Sequence, residues 1–239
     1  RVRETTLASP AGPGWFGKHT NLIDPPSRSW FFLGELYTDL PLPTTRPAKD
    51  HCGSCTRCID ACPTGALDTP YQLDARQCIA YLTIEHKSSI PEPLRALIGN
   101  RIFGCDDCQL VCPHNRLTQK GDAEFSPRHG LDTATLLDLF AWSPEEFNRC
   151  TAGSPIRRLG YERWMRNLSV AIGNSTPTEK KISILQSKFK KISALVAEPS
   201  VWALNRLRAS LAGGEGIRGQ GSAKKARSTD VVAVKRHPN

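Results

Sequence analysis

From residue 130 onward, apolar positions recur with a helical period. In "SPEEF", residues 143–147, Ser143 stands as N-cap, Pro144 at the first helical position and Glu146 at the third, which predicts a helix start. In "YERWMRNLSVAIGN", Tyr161, Trp164, Leu168 and Ile172 share one face, and Gly173-Asn174 is expected to close the helix. "EKKISILQSKFKKISALV" and "SVWALNRLRASLAGG" continue with apolar stripes and basic opposite faces. Successive short amphipathic helices predict a small helical-repeat stack over 121–212. The Gly-, Ser-, Lys- and Arg-rich stretch 213–239 has little to bury and is expected to be a disordered basic tail. Upstream the pattern differs. Gly12, Gly14 and Gly17 surround Trp15, predicting a tight loop able to approach a flat ligand closely. "SWFFLGELYTDLPLP" predicts a buried strand or short helix ending in a Pro-rich loop.

At 239 residues the chain has room for one large domain or two small ones. An apolar content of 39% and a charged fraction of 23% describe a soluble globular protein. No apolar run approaches the roughly 18 residues that a membrane helix needs. The start, "RVRETTLASPAGPGW", has neither the apolar core of a signal peptide nor an initiator Met, so Arg1 is read as an internal residue and the chain as a fragment. The expected setting is a cytoplasmic monomer. The net charge of +9 is uneven: residues 1–51 carry +1, 52–112 carry −2, 113–212 carry +6 and 213–239 carry +4. A basic second half suggests a polyanionic partner there.

The nine cysteines are clustered, which together with the missing secretion signal argues for metal in a reducing compartment rather than for disulfides. They form C-x2-C-x2-C-x3-C-P over 52–63 and C-x2-C-x3-C-P over 105–113, with Cys78 between. The first run has the spacing of a bacterial ferredoxin motif for a [4Fe–4S] cluster, in which the fourth Cys serves the other cluster. Two-residue gaps let one tight loop present three thiolates to three corners of a cubane. By that crossing rule Cys52, Cys55, Cys58 and Cys112 hold one cluster, and Cys62, Cys78, Cys105 and Cys108 the other. Four-cysteine zinc sites also use C-x2-C pairs, but they do not need three cysteines at two-residue gaps followed by C-P. Cys150 is left as an ordinary thiol.

The segments "AGPGWFGKHTNLI", "SWFFLGELYTDLPLP", "CGSCTRCIDACPTGA", "CIAYLTIEH", "GNRIFGCDDCQLVCPHNR" and "GSPIRRLGYERWMRNLSVAIGN" resemble, in this order, the epoxyqueuosine reductase family. The resemblance spans about residues 11–174 and implies an α+β chain. Its parts would be a remnant of a cobalamin-binding α/β domain (1–50), a ferredoxin-like two-[4Fe–4S] domain (51–120), a HEAT-like tRNA-binding domain (121–212) and the tail (213–239). It implies cobalamin- and cluster-dependent reduction of the epoxide of a modified tRNA base, fed by an external low-potential electron donor. Attack on an epoxide carbon would come from reduced cobalt, with an Asp donating the proton.

The same resemblance places cobalamin against Leu22, Leu33, Leu36, Cys105 and Asp106. Ala80 stands where the family usually has Ser. The proton-donating Asp is expected upstream of Arg1. For tRNA, Arg157, Arg158, Arg163 and Arg166 in "PIRRLGYERWMR" form a basic cluster suited to bidentate phosphate pairing, with Lys87 as a further contact. A bare two-cluster electron-transfer protein is the alternative reading, and corrinoid reductive dehalogenation a related one. Neither accounts for the basic helical half.

Overall fold

The structure, a computed structural model, describes residues 8, 11–117, 126–188 and 193–213. Beyond Gly213, the tail expected to be disordered lies outside the described residues. Packing divides the described residues into two units, those of 1–75 with 106–120 and those of 76–105 with 121–239. No described helix is long and apolar enough to cross a membrane.

The first unit begins with a hairpin. Strands β1 (Trp15–Phe16) and β2 (Leu22–Ile23) pair antiparallel, with Trp15 opposite Ile23 and Phe16 opposite Leu22. A Cβ on Gly14 would lie 2.1 Å from the Ile23 carbonyl oxygen, so the strands can close only over glycine. The turn is fixed by Gly17 N–H donating to the Asn21 carbonyl (3.0 Å) and Thr20 N–H to the Gly17 carbonyl (2.8 Å). Two short helices carry the cysteine blocks, α1 (Arg57–Ala61) and α4 (Asp107–Leu110), and they pack on each other. Asn115 anchors the second block. Its carbonyl oxygen accepts from Ser29 N–H at 3.0 Å, and its amide donates to the Ser29 hydroxyl at 2.7 Å.

Residues 30–50 do not form the expected buried strand or helix. They run without regular secondary structure, and Phe32, Leu36 and Tyr37 are 85%, 91% and 77% exposed. Pro41, Pro43 and Pro47 remove ladder donors from this stretch, and prolines are poorly tolerated within a paired strand.

The second unit is helical and is built around α7 (Tyr161–Gly173). Helices α5 (Leu136–Ala141), α6 (Pro144–Cys150) and α9 (Ala194–Ala212) pack against it, and α8 (Glu179–Lys188) packs on α9. The helix start at Ser143 forms as the sequence predicts. Ser143 Oγ accepts from Glu146 N–H at 3.2 Å, and the Glu146 carboxylate accepts from Ser143 N–H at 2.8 Å. Thr135 and Asp138 form a second capping box on α5.

Trp164, Leu168 and Ile172 face one core with Phe140, Phe147, Leu159 and Leu185. The opposite face of α7 is buried as well. Val170 packs on Ile79 and Leu82 of α2 (Ile79–Ile84), on Ile90, and on Ile98 of α3 (Glu92–Ile98). Residues 76–105, placed by the sequence in a continuous 51–120 domain, therefore belong with the helices. Helix α7 ends at Gly173 with Asn174 as its C-cap, as the sequence predicts, though Asn174 keeps a helical conformation (φ −93°) rather than a left-handed turn. Glycine is also needed there for close approach. A Cβ would sit 2.7 Å from the Trp202 ring and 2.9 Å from Ala203 Cα on α9.

Candidate metal centre

The loop after His51 is braced by polar groups before it in the chain and from the hairpin turn. Cys52 N–H donates to the Asp50 carboxylate at 2.7 Å, and Cys55 N–H to the Cys52 carbonyl at 3.1 Å. Lys18, from the hairpin turn, donates its Nζ to the Gly53 carbonyl (2.6 Å) and the Cys55 carbonyl (3.0 Å). The loop enters α1 at Arg57, which carries Cys58 inward on its first turn. Cys112 arrives from just beyond α4. These four thiols, Cys52, Cys55, Cys58 and Cys112, line one cavity of about 300 Å³.

Four thiols around one cavity are a donor set that suits an iron–sulfur cluster. Burial raises the thiol pKa values of Cys52, Cys58 and Cys112 above the ordinary range. A buried thiol of this kind is held protonated until a cation compensates its charge, and iron would supply that compensation.

Of the other four cysteines, Cys62 and Cys108 belong to the first unit and Cys78 and Cys105 to the second. Cys62 Sγ lies 3.8 Å from the Thr64 hydroxyl. Cys150 is buried at the end of α6 in the helical unit.

Side chains that the sequence did not single out complete the cavity wall: Lys18, His19, His51 and His114. Trp15 meets the His51 and His114 rings edge-on, at centroid distances of 4.9 and 5.2 Å. His19 is 3% exposed, and burial lowers its pKa to about 4. The Nε2 of His19 is buried with no hydrogen-bond partner among the described residues. The glycine loop around Trp15 thus serves the thiol cavity rather than presenting a flat face.

The residues expected to wall cobalamin differ in exposure. Leu22 is 4% exposed within β2, Leu33 is half-buried, and Leu36 stands 91% exposed on the irregular stretch. Leu22 packs within the hairpin, while Leu36 presents an exposed apolar side chain. Cys105 and Asp106 are half-buried, Cys105 in the second unit and Asp106 in the first.

The basic cluster divides into two kinds. Arg157 and Arg158 are exposed on the 3-10 turn Pro155–Leu159, and Arg158 pairs with Glu85. Lys87 is exposed. Arg163 instead donates to the carbonyls of Leu159 (2.6 Å), Arg158 (2.7 Å) and Ile84 (3.0 Å). Arg166 is fully buried, with its guanidinium taken up by the backbone of residues 82–88 and by Asn167, so it corrects the expectation of four surface arginines. The helix presents it to a packed segment instead of to solvent.

A family profile described as a 4Fe-4S double cluster binding domain matches residues 51–115, a range that contains all eight ordered cysteines. The epoxyqueuosine reductase of Xanthomonas campestris is 59% identical over 204 residues, covering 85% of this chain and 58% of that protein. That of Pseudomonas aeruginosa is 54% identical, covering 86% and 57%. Among solved structures, epoxyqueuosine reductase from Bacillus subtilis, with its catalytic Asp loop swung out of the active site, superposes with a TM-score of 0.78. It is 33% identical and covers 86% of this chain and 55% of its own. An epoxyqueuosine reductase bound to an epoxyqueuosine-modified tRNA-Tyr stem loop gives a TM-score of 0.80 at 33% identity, with 86% and 55% coverage. The chain spans little more than half the length of the relatives it matches. Over the residues it shares with them, this iron–sulfur chain belongs to the epoxyqueuosine reductase family.

Proposed function

We propose that the chain supplies electrons to, and binds tRNA for, the reduction of epoxyqueuosine to queuosine in tRNA. The observation that carries this reading is the cavity lined by Cys52, Cys55, Cys58 and Cys112 inside the matched double-cluster region. Taking an epoxide to an alkene removes its oxygen as water and consumes two electrons and two protons. Two one-electron centres, refilled by an external low-potential donor, suit that demand. Cys62, Cys78, Cys105 and Cys108 are assigned to the second cluster by spacing. Cobalamin would supply a strongly reducing metal centre. It enters only through family likeness, and no step is assigned to it.

On the tRNA side, Arg157, Arg158 and Lys87 are the exposed cations assigned to phosphate, and helices 136–212 the HEAT-like platform that presents them. The pairing of Arg158 with Glu85 on the surface costs little to exchange for phosphate, because exposed ion pairs are worth only about 0–1 kcal/mol. The protein's part is then to hold the anticodon arm by charge and to keep the thiol-bound centre out of water.

The test uses the cluster-loaded chain and an epoxyqueuosine-modified anticodon stem loop. Binding should weaken steeply with salt, and replacing Arg157 and Arg158 together by Ala should reduce the slope of log K against log salt by about 1–2. An unchanged affinity and slope would make the pair an ordinary surface and leave an electron-transfer protein.

A further inference from the structure

We infer that His19 donates a hydrogen bond from Nε2 to a sulfur of the cluster held by Cys52, Cys55, Cys58 and Cys112, and that this bond sets the reduction potential of that cluster. The inference rests on the iron–sulfur assignment above and adds to it a residue outside the cysteine blocks.

The argument begins with the tautomer. The backbone N–H of Asn21 donates to His19 Nδ1 at 3.1 Å, so Nδ1 is the bare acceptor and the ring proton sits on Nε2. That N–H is buried, and no acceptor among the described residues receives it. Leaving such a donor unmade in a protein interior costs about 1–3 kcal/mol, which sequences rarely tolerate without a partner. His19 lines the thiol cavity, and the sulfurs of a bound cluster are acceptors there.

The chain makes room for this ring edge. A Cβ on Gly17 would fall 2.9 Å from His19 Cε1 and 3.2 Å from Nε2, and 2.7 Å from Ile23 Cδ1. Glycine at 17 therefore admits the edge that carries the N–H. Thr20, with φ +63°, turns the chain so that Asn21 can reach back to Nδ1. Lys18, between them, ties the same turn to the cysteine loop through Gly53 and Cys55. Hairpin turn and cysteine loop are thus held in one register, and the donor sits on the rigid side of it.

The electrostatic sign follows directly. A donor to cluster sulfur favours the more negative, reduced form, so it raises the potential. Removing it should make this cluster harder to reduce and leave the other unaffected.

The experiment reconstitutes the full chain with iron and sulfide and follows both clusters by potentiometric titration with EPR detection. His19→Phe keeps a ring of similar size without an N–H. At a fixed potential the reduced-to-oxidised ratio of one cluster should fall about tenfold, a shift of about 59 mV for a one-electron couple. Iron content should be unchanged, and His19→Gln, which keeps a donor, should recover part of the shift. Where His19→Phe fails to load that cluster, the wild-type protein labelled with 15N-histidine decides the matter. A histidine nitrogen and an exchangeable proton should then couple to the reduced cluster in pulsed EPR, and still do so in His51→Gln and His114→Gln. Unchanged potentials in a fully loaded His19→Phe protein, equal shifts in Phe and Gln variants, or no histidine coupling in the labelled protein would each overturn the inference. Failure of the wild type to load iron at all would instead overturn the iron–sulfur assignment.

Discussion

Replacing Cys112 by Ser is expected to halve the iron content of the reconstituted protein, from about eight to about four atoms per chain. Cys112 comes from the second cysteine block yet lies on the cavity wall with Cys52, Cys55 and Cys58. It is 8% exposed, so no water-borne thiol can replace it easily. Serine is a poor ligand for soft iron–sulfur chemistry, and the three remaining thiols leave one corner open. The remaining four irons should belong to the other cluster, which Cys62→Ser should damage in turn. Cys150→Ser should leave iron content as in the wild type, since that thiol sits in the helical unit at the end of α6. Because burial holds Cys52, Cys58 and Cys112 protonated, loading must expel their protons. Reconstitution should therefore become less efficient as pH falls. Iron counting with EPR of the two reduced signals checks all of this, and a protein that takes up zinc but no iron under these conditions would remove the assignment.

What could be read in advance divides by range. The cysteine blocks were legible because a cubane's corners are served by local gaps of two and three residues, and the crossing of Cys112 follows from the same repeat. The helix start at Ser143 was legible for a similar reason, since a capping box closes within four residues. The hairpin at Trp15–Ile23 was not, because strands of two residues show no period. Its glycines were visible, but their reasons are contacts: Gly14 yields to a carbonyl across the pair and Gly17 to the His19 ring. Lys18 and His19 stand beside those glycines in "GWFGKH", and only the fold shows that they reach a loop more than thirty residues away. The run after Trp30 misleads for the opposite reason. Its composition is that of a buried element, while Leu36 and Tyr37 are exposed.

The largest loss of stability is expected from Arg166→Met. Arg166 lies two residues beyond Trp164, so it projects from the opposite side of α7 and reads as part of a solvated basic face. The chain instead covers that side with residues 79–102. A guanidinium has five N–H donors, and the contacts here match them in number. Nη2 donates to Leu82 O at 2.8 Å and to Asn167 Oδ1 at 2.9 Å. Nη1 donates to His86 O at 2.7 Å and Ser88 O at 2.6 Å, and Nε to Asn167 Oδ1 at 3.0 Å. Asn167 then passes its own amide to Thr83 O and Ile102 O, so the two side chains hold both ends of one loop. Burial lowers the guanidinium pKa to about 10, and nearby Arg163 adds to the effect, yet the group stays charged at neutral pH.

Methionine preserves helix propensity and most of the volume, which isolates the polar loss. Three backbone carbonyls and the Asn167 Oδ1 lose their donors at roughly 1–3 kcal/mol each, with water recovering part, so a net loss of about 4 kcal/mol is expected. Lysine should not rescue it, because a single ammonium cannot span acceptors arranged for a planar fork. Arg157→Ala, on the exposed turn, should change stability by no more than about 0.5 kcal/mol. Urea unfolding of the three variants measures the difference. If Arg166→Met unfolds within about 1 kcal/mol of the wild type, the loop 82–88 is held by its apolar contacts with Val170 rather than by the guanidinium.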